Sequence, residues 1–225
     1  MINLRNKKLI LAIIIVAVLI GAGAFELVKT KPWQSKPEGF PYAIDFSEIQ
    51  NISGEQLERL KQNYQTAKGK YEKAPNSFSA LMTFAFVYYQ IGDYENARDV
   101  YIKVGENSPK NYNSFWNLGN TYMKLQDYVN AEKAYLKTIE NGPDQSRHYL
   151  ALGELYWYMP EKKSQIPDLY KKGLETLPGN YDLLIALAQY YKDAGDKTNA
   201  IKYYQEIIEK YPDSKEAIEE EIRNL

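Results

Sequence analysis

The chain has 225 residues, 44% hydrophobic and 25% charged, which excludes disorder throughout and an all-membrane protein. Its 28 Lys and Arg against 29 Asp and Glu leave a net charge of −1, no basic surplus to neutralise a phosphate backbone, so no nucleic-acid partner is expected. With no cysteine and a single histidine, thiol catalysis, disulfides and Cys- or multi-His metal centres are excluded, and no cofactor is expected.

Residues 1–8 form a basic flank with Arg5, Lys7 and Lys8, and residues 9–25 are an uncharged apolar run that ends at Glu26. A helix of that length, at about 1.5 Å per residue, reaches the lower edge of what crosses a bilayer's hydrocarbon core. It is read as a single transmembrane anchor. A cleaved signal peptide is the alternative, since Ala22-Gly23-Ala24 fits an A-x-A cleavage site. Leu27 and Val28 continue the apolar character past Glu26, whose stem can snorkel, and this favours the anchor. The flanking cations place the N-terminus in the cytoplasm and the rest of the chain outside it.

Residues 26–51 read as a stalk, because Pro32, Pro37 and Pro41 disfavour helix and favour extended backbone. Phe40, Tyr42, Ile44 and Phe46 alternate with period two, so one face of an extended segment is available for docking. A leading helix follows at 52–74. Ser53-Gly54-Glu55-Gln56 is a capping-box start, and Leu57, Leu60, Tyr64, Ala67 and Tyr71 make an apolar stripe that ends before Pro75.

The compositional anomaly is tyrosine, 21 against 3 Trp and 7 Phe, which asks for a repeating position filled each time by Tyr. Pro109, Pro143, Pro178 and Pro212 recur at intervals of 34, 35 and 34 residues, and two helical patterns precede each. The first begins near Phe78, Tyr112, Ser146 and Tyr181. It carries a large residue at Leu81, Phe115, Tyr149 or Leu184, then Phe84, Leu118, Leu152 or Leu187 three later. A small residue follows at once (Ala85, Gly119, Gly153, Ala188), then Tyr88, Tyr122, Tyr156 or Tyr191, all on one helical face. The second pattern carries Ala97, Ala131 and Ala200 with Tyr101, Tyr135 and Tyr204 four later, and Tyr170 completes the set. Asn111, Asp144, Asn180 and Asp213 stand where N-caps are needed.

This pattern resembles the tetratricopeptide repeat (TPR), whose unit of about 34 residues reads W-x-x-L-G-x-x-Y, A-x-x-x-F and P. Phe115-Trp116-Asn117-Leu118-Gly119-Asn120-Thr121-Tyr122, followed by Ala131, Tyr135 and Pro143, is the best copy. The resemblance covers residues 78–212, as repeats 78–111, 112–145, 146–180 and 181–212, with a capping helix at 213–225. It implies an all-α, right-handed solenoid of helical hairpins, four repeats plus flanking helices, preceded by the single transmembrane helix. The third copy departs: Pro160 and Pro167 sit in its interhelix turn, Ile166 stands where Ala is expected, and its second helix should start late, near Ser164 to Pro167.

A TPR array brings no chemistry of its own, so neither catalysis nor a small-molecule substrate is expected. His148 lacks a recognisable nucleophile and reads as a packing or surface residue. In the family the concave face is lined by first-helix positions 2, 5, 9, 12 and 13. Arrays that clamp carboxylate termini use Lys at position 5 and Asn at position 9; here Asn120 is in place, but Met82 and Trp116 occupy the Lys positions. The resemblance therefore implies an aromatic and Met-rich groove for an apolar or extended peptide. It comprises Met82, Phe86, Tyr89, Trp116, Asn120, Met123, Leu150, Glu154, Trp157, Tyr158, Ile185 and Gln189. The expected function is a membrane-anchored scaffold for a protein or peptide partner. The alternative is a secreted or periplasmic structural module that self-associates after signal cleavage.

Overall fold

A computed structural model describes residues 41–49 and 52–225, so the apolar run at 9–25, its basic flank and most of the stalk lie outside the described residues. The chain divides into Met1–Asp45 and Phe46–Leu225, and every helix named below lies in the second unit. Among the described residues there are ten α-helices and no strand. They are α1 (Gly54–Lys73), α2 (Phe78–Gln90), α3 (Tyr94–Asn107), α4 (Tyr112–Lys124), α5 (Tyr128–Asn141), α6 (Ser146–Trp157), α7 (Ile166–Thr176), α8 (Tyr181–Asp193), α9 (Lys197–Lys210) and α10 (Lys215–Arg223). None of them is long and apolar enough to cross a membrane. Each helix packs against the next in sequence, the arrangement of a solenoid.

Local signals set the helix starts. Ser53, Asn111 and Asn180 accept bonds from the backbone N–H groups of Gln56, Ser114 and Leu183, which would otherwise be unpaired in the first turn. The second helices of repeats one, two and four share a further device. Asp93, Asp127 and Asp196 each accept from the backbone N–H and from the side-chain amide of the Asn three residues on: Asn96, Asn130 and Asn199. Two expected caps are corrected. The cap position of α6 is Gln145, without a side-chain bond, rather than Asp144. Pro212–Ser214 forms a 3-10 turn, which places Asp213 inside it and starts α10 at Lys215. The extended reading through Phe46 also changes, because Phe46–Glu48 is a 3-10 turn and the Phe46 ring meets Tyr64 of α1 edge-on at 5.3 Å.

The repeated tyrosines of the second helices are core residues, while of the first-helix set Tyr88 and Tyr156 are buried and Tyr122 and Tyr191 half-buried. Tyr101, Tyr135, Tyr170 and Tyr204 of the second helices are all buried, as are Ala85, Gly119, Gly153 and Ala188 of the first helices. The glycines are required by close approach: a Cβ on Gly119 or Gly153 would collide with the ring of Tyr135 or Tyr170. Burial pushes the Tyr170 hydroxyl up to about 12.

The third repeat is irregular as expected. A 3-10 turn at Lys163–Gln165 leads into α7, Pro167 sits in its first turn, and Ile166 is fully buried where sister repeats have Ala. The long turn is pinned to α5, since Glu132 Oε1 accepts from Lys162 Nζ and from the Tyr156 hydroxyl, each at 2.9 Å.

The flanking helices keep the repeat register. Lys73 ends α1 and Asn107 ends α3, 34 residues apart, so α1 stands as a second helix without its partner. Tyr181 and Lys215 begin α8 and α10 at the same 34-residue step. α10 buries Ile218 and leaves Glu216 and Glu220 exposed, as a polar end requires.

Candidate functional site

The expected groove residues all lie on first helices except Tyr158, which is the residue just past the end of α6. Met82, Tyr89, Trp116, Asn120, Met123, Leu150 and Ile185 are half-buried, and Phe86, Glu154, Trp157, Tyr158 and Gln189 are exposed. Phe86 retains 44% of its surface, Trp157 39% and Tyr158 54%, large apolar areas that folding leaves in water.

Two clusters of rings organise these residues. Trp116 lies against Tyr135 at 6.0 Å and His148 at 5.3 Å, and the Arg147 guanidinium stands 5.5 Å over its ring. Behind it, the Tyr135 hydroxyl donates to Asn120 Oδ1 at 2.7 Å, which fixes the amide of the one residue that matches the carboxylate-clamp pattern. Trp157 meets Tyr190 at 5.9 Å and carries Lys163 Nζ 4.0 Å over its ring. Tyr158 instead stacks on Tyr128, the first residue of α5, at 5.6 Å, and Tyr89 packs edge-on against Tyr94 at 5.4 Å. Tyr158 and Tyr89 therefore belong to the end of the hairpins where first and second helices join.

The charges on this face are partly spent. Lys192 donates to Glu221 of α10 at 2.7 Å; the bond raises the lysine's pKa and holds the glutamate below its ordinary value. Asp193 accepts from Gln189 at 2.8 Å, and Asp182 accepts from Ser146 at 3.3 Å. Sequence reasoning missed Lys163 and Tyr190 as neighbours of Trp157. They come from the irregular turn and from the next repeat, and no spacing within one helix signals them. Among the described residues no group of three His, Cys, Asp or Glu is placed to hold a metal ion.

Comparison with known proteins agrees with this architecture. Models described as tetratricopeptide repeat match residues 116–181 and 182–214, and one described as TPR repeat matches residues 87–126. No curated protein matches the sequence. Among solved structures, a crystal structure of MamA is 19% identical, covers 74% of this chain and 99% of its own, and superposes with a TM-score of 0.57. YrrB, a TPR protein with an unusual peptide-binding site, is 16% identical over 76% of this chain and 87% of its own, with a TM-score of 0.55. PilF of Pseudomonas aeruginosa is 20% identical over 68% of this chain and 70% of its own, with a TM-score of 0.56. At these identities the likeness is one of fold. The family matches run without a gap from residue 87 to residue 214, more than half of the chain, and the protein belongs to the tetratricopeptide-repeat proteins.

Proposed function

We propose that this chain is a protein-interaction scaffold that holds an extended peptide segment against the first-helix face of its array, and that it is tethered to a membrane by residues 9–25. The observation that carries the binding reading is the set of large apolar side chains left in water at the family's groove positions, Phe86 and Trp157 foremost. The likeness to YrrB, a TPR protein with an unusual peptide-binding site, supports the same reading. The tether rests on the continuous apolar run and its basic flank, with the N-terminus in the cytoplasm and the repeats outside it.

Site-specific photo-crosslinking in native membranes tests the surface. A photoreactive residue at Phe86 or Trp157 should capture a partner, and one at Val129 or Leu136, the exposed apolar residues of α5, should not. Adducts confined to α5 would put the binding site elsewhere. The tether is tested by sequencing the N-terminus of the mature protein: a chain recovered in the soluble fraction and starting near Phe25 would replace the anchor with a cleaved signal peptide.

A further inference from the structure

His148 is the chain's single histidine and is fully buried. Nδ1 lies 2.7 Å from the carbonyl oxygen of Gly142, and a carbonyl only accepts, so Nδ1 carries the proton of the neutral ring. Nε2 is then a bare acceptor, and among the described residues no group pairs with it. The ring is wedged between repeats: Tyr112 at 5.0 Å and Trp116 at 5.3 Å come from α4, and Gly142 closes α5. Gly142 has no room for a side chain, since a Cβ there would lie 2.9 Å from the Tyr112 ring and 3.1 Å from His148 Cε1.

We propose that His148 is a proton-operated break point in the array: when Nε2 takes a proton, the seam between the second and third repeats opens and uncovers Tyr112 and Trp116. A second proton creates a buried cation whose new N–H meets no acceptor, and relief comes from water entering the seam. Among the described residues, the charged or titrating groups around the ring are Tyr112 on α4, Asp144 in the turn and Arg147 on its own helix, and the end of α5 contributes the Gly142 carbonyl. Asp144 attracts the proton and Arg147 repels it, and of the two rings beside the imidazole Trp116 already carries the Arg147 guanidinium. Burial is the largest influence and holds the imidazole below its ordinary value, so the closed seam resists the proton and the open one accepts it. Because each repeat touches only its neighbours, the break divides the array into two stacks and frays the helices that face the seam, α5 and α6, while those remote from it stay folded.

The test uses the full chain in detergent micelles. The His148 Hε1 proton resonance is unambiguous, because no other histidine is present. Amide exchange, corrected for the intrinsic effect of pH, is followed in parallel. With the open seam titrating near the ordinary 6.5, protection in α5 and α6 should fall by up to about 30-fold between pH 7.5 and pH 5.0. α2 and α3 should keep theirs, and the Hε1 signal should titrate below 6.5, at lower pH than the onset of the loss. His148→Gln, which can still donate to Gly142 but cannot charge, should show the same protection at both pH values. Protection that is unchanged down to pH 5.0 overturns the proposal, whether or not the Hε1 signal moves. So does a loss that persists in His148→Gln, or one spread evenly over all ten helices.

Discussion

Gly119 on α4 and Tyr135 on α5 are packed so closely that a Cβ on the glycine would lie 2.6 Å from the tyrosine ring. The ring cannot swing aside cheaply, because it is buried and its hydroxyl is held by Asn120. Gly119→Leu should therefore wedge the hairpin apart and cost about 1–3 kcal/mol or more. In a nearest-neighbour stack the damage is local at first, so hydrogen exchange should rise in α4 and α5 before it rises in α9. Uniform loosening from residue 54 to residue 223 would contradict that coupling. Gly69 is the matched opposite: it lies inside α1, and no atom of the described residues comes within 4 Å of an added Cβ. Gly69→Ala should stabilise the chain by about 0.5–1 kcal/mol, read as a rise in denaturation midpoint.

Gln126 adopts φ 58°, the left-handed region, at the turn position where the first and fourth repeats have Gly92 (83°) and Gly195 (73°). A side chain there costs about 1–2 kcal/mol, and the looser unfolded chain that glycine brings gives back about 0.4–1 kcal/mol of that. Gln126→Gly should thus raise stability by about 0.5–1 kcal/mol in urea unfolding. A fall in midpoint would mean that the Gln126 side chain makes a contact worth more than the backbone strain.

What the sequence made legible is what local chemistry decides. Phe78, Tyr112, Ser146 and Tyr181 begin helices as the spacing predicts, because apolar period and helix length are written within each unit. Pro167 entering α7 in its first turn follows from the fixed φ of proline. The misplaced caps at Asp144 and Asp213 show the limit: Gln145 stands two residues after Pro143, as Asn111 does after Pro109, while at Asp213 a 3-10 turn precedes the helix, and a residue type alone does not fix which residue stands at the boundary. The cations over the two tryptophans were less legible still. Arg147 meets Trp116 and Lys163 meets Trp157 only through the stacking of one repeat on the next and the path of an irregular turn. The Asp-x-x-Asn cap, by contrast, recurs in the sequence at 93, 127 and 196 and is as regular as the prolines.

At Asp196 the cap has a pH signature. Asp196 is held below the usual carboxylate range by hydrogen bonds from the Asn199 side chain and backbone N–H. A depressed carboxylate contributes stability that is complete above its unfolded value, 3.8, and is lost as pH falls through the folded one. The gap in thermal midpoint between the wild type and Asp196→Ala should accordingly shrink as pH is lowered from 6 toward 3. A gap that stayed constant would mean that the aspartate acts without its charge. At Asp127, where the same two bonds form, Asp127→Ala should cost about 1 kcal/mol near neutral pH.

The two tryptophans should separate binding from folding. Trp116 is half-buried against Tyr135 and His148, so Trp116→Ala removes core packing along with groove surface and should lower stability as well as affinity. Trp157 keeps 39% of its surface in water, with Lys163 over one face and Tyr190 beside it, so Trp157→Ala should leave the unfolding midpoint nearly unchanged. If the groove reading is right, Trp157→Ala still costs about 2 kcal/mol or more in partner affinity, the signature of an aromatic anchor. Reversing the charge of exposed Lys124 should cost much less, and raising salt should weaken binding little, because screening acts on exposed charge pairs rather than on apolar burial. Lys163 is the counter-test. If the partner met the cations over the rings rather than the rings themselves, Lys163→Ala would lower affinity at low salt, and the loss would vanish at high salt. Titrations of the crosslinked partner against wild type, Trp157→Ala and Lys163→Ala at two salt concentrations distinguish the cases. An affinity that collapsed with salt yet survived Trp157→Ala would move the site off this face.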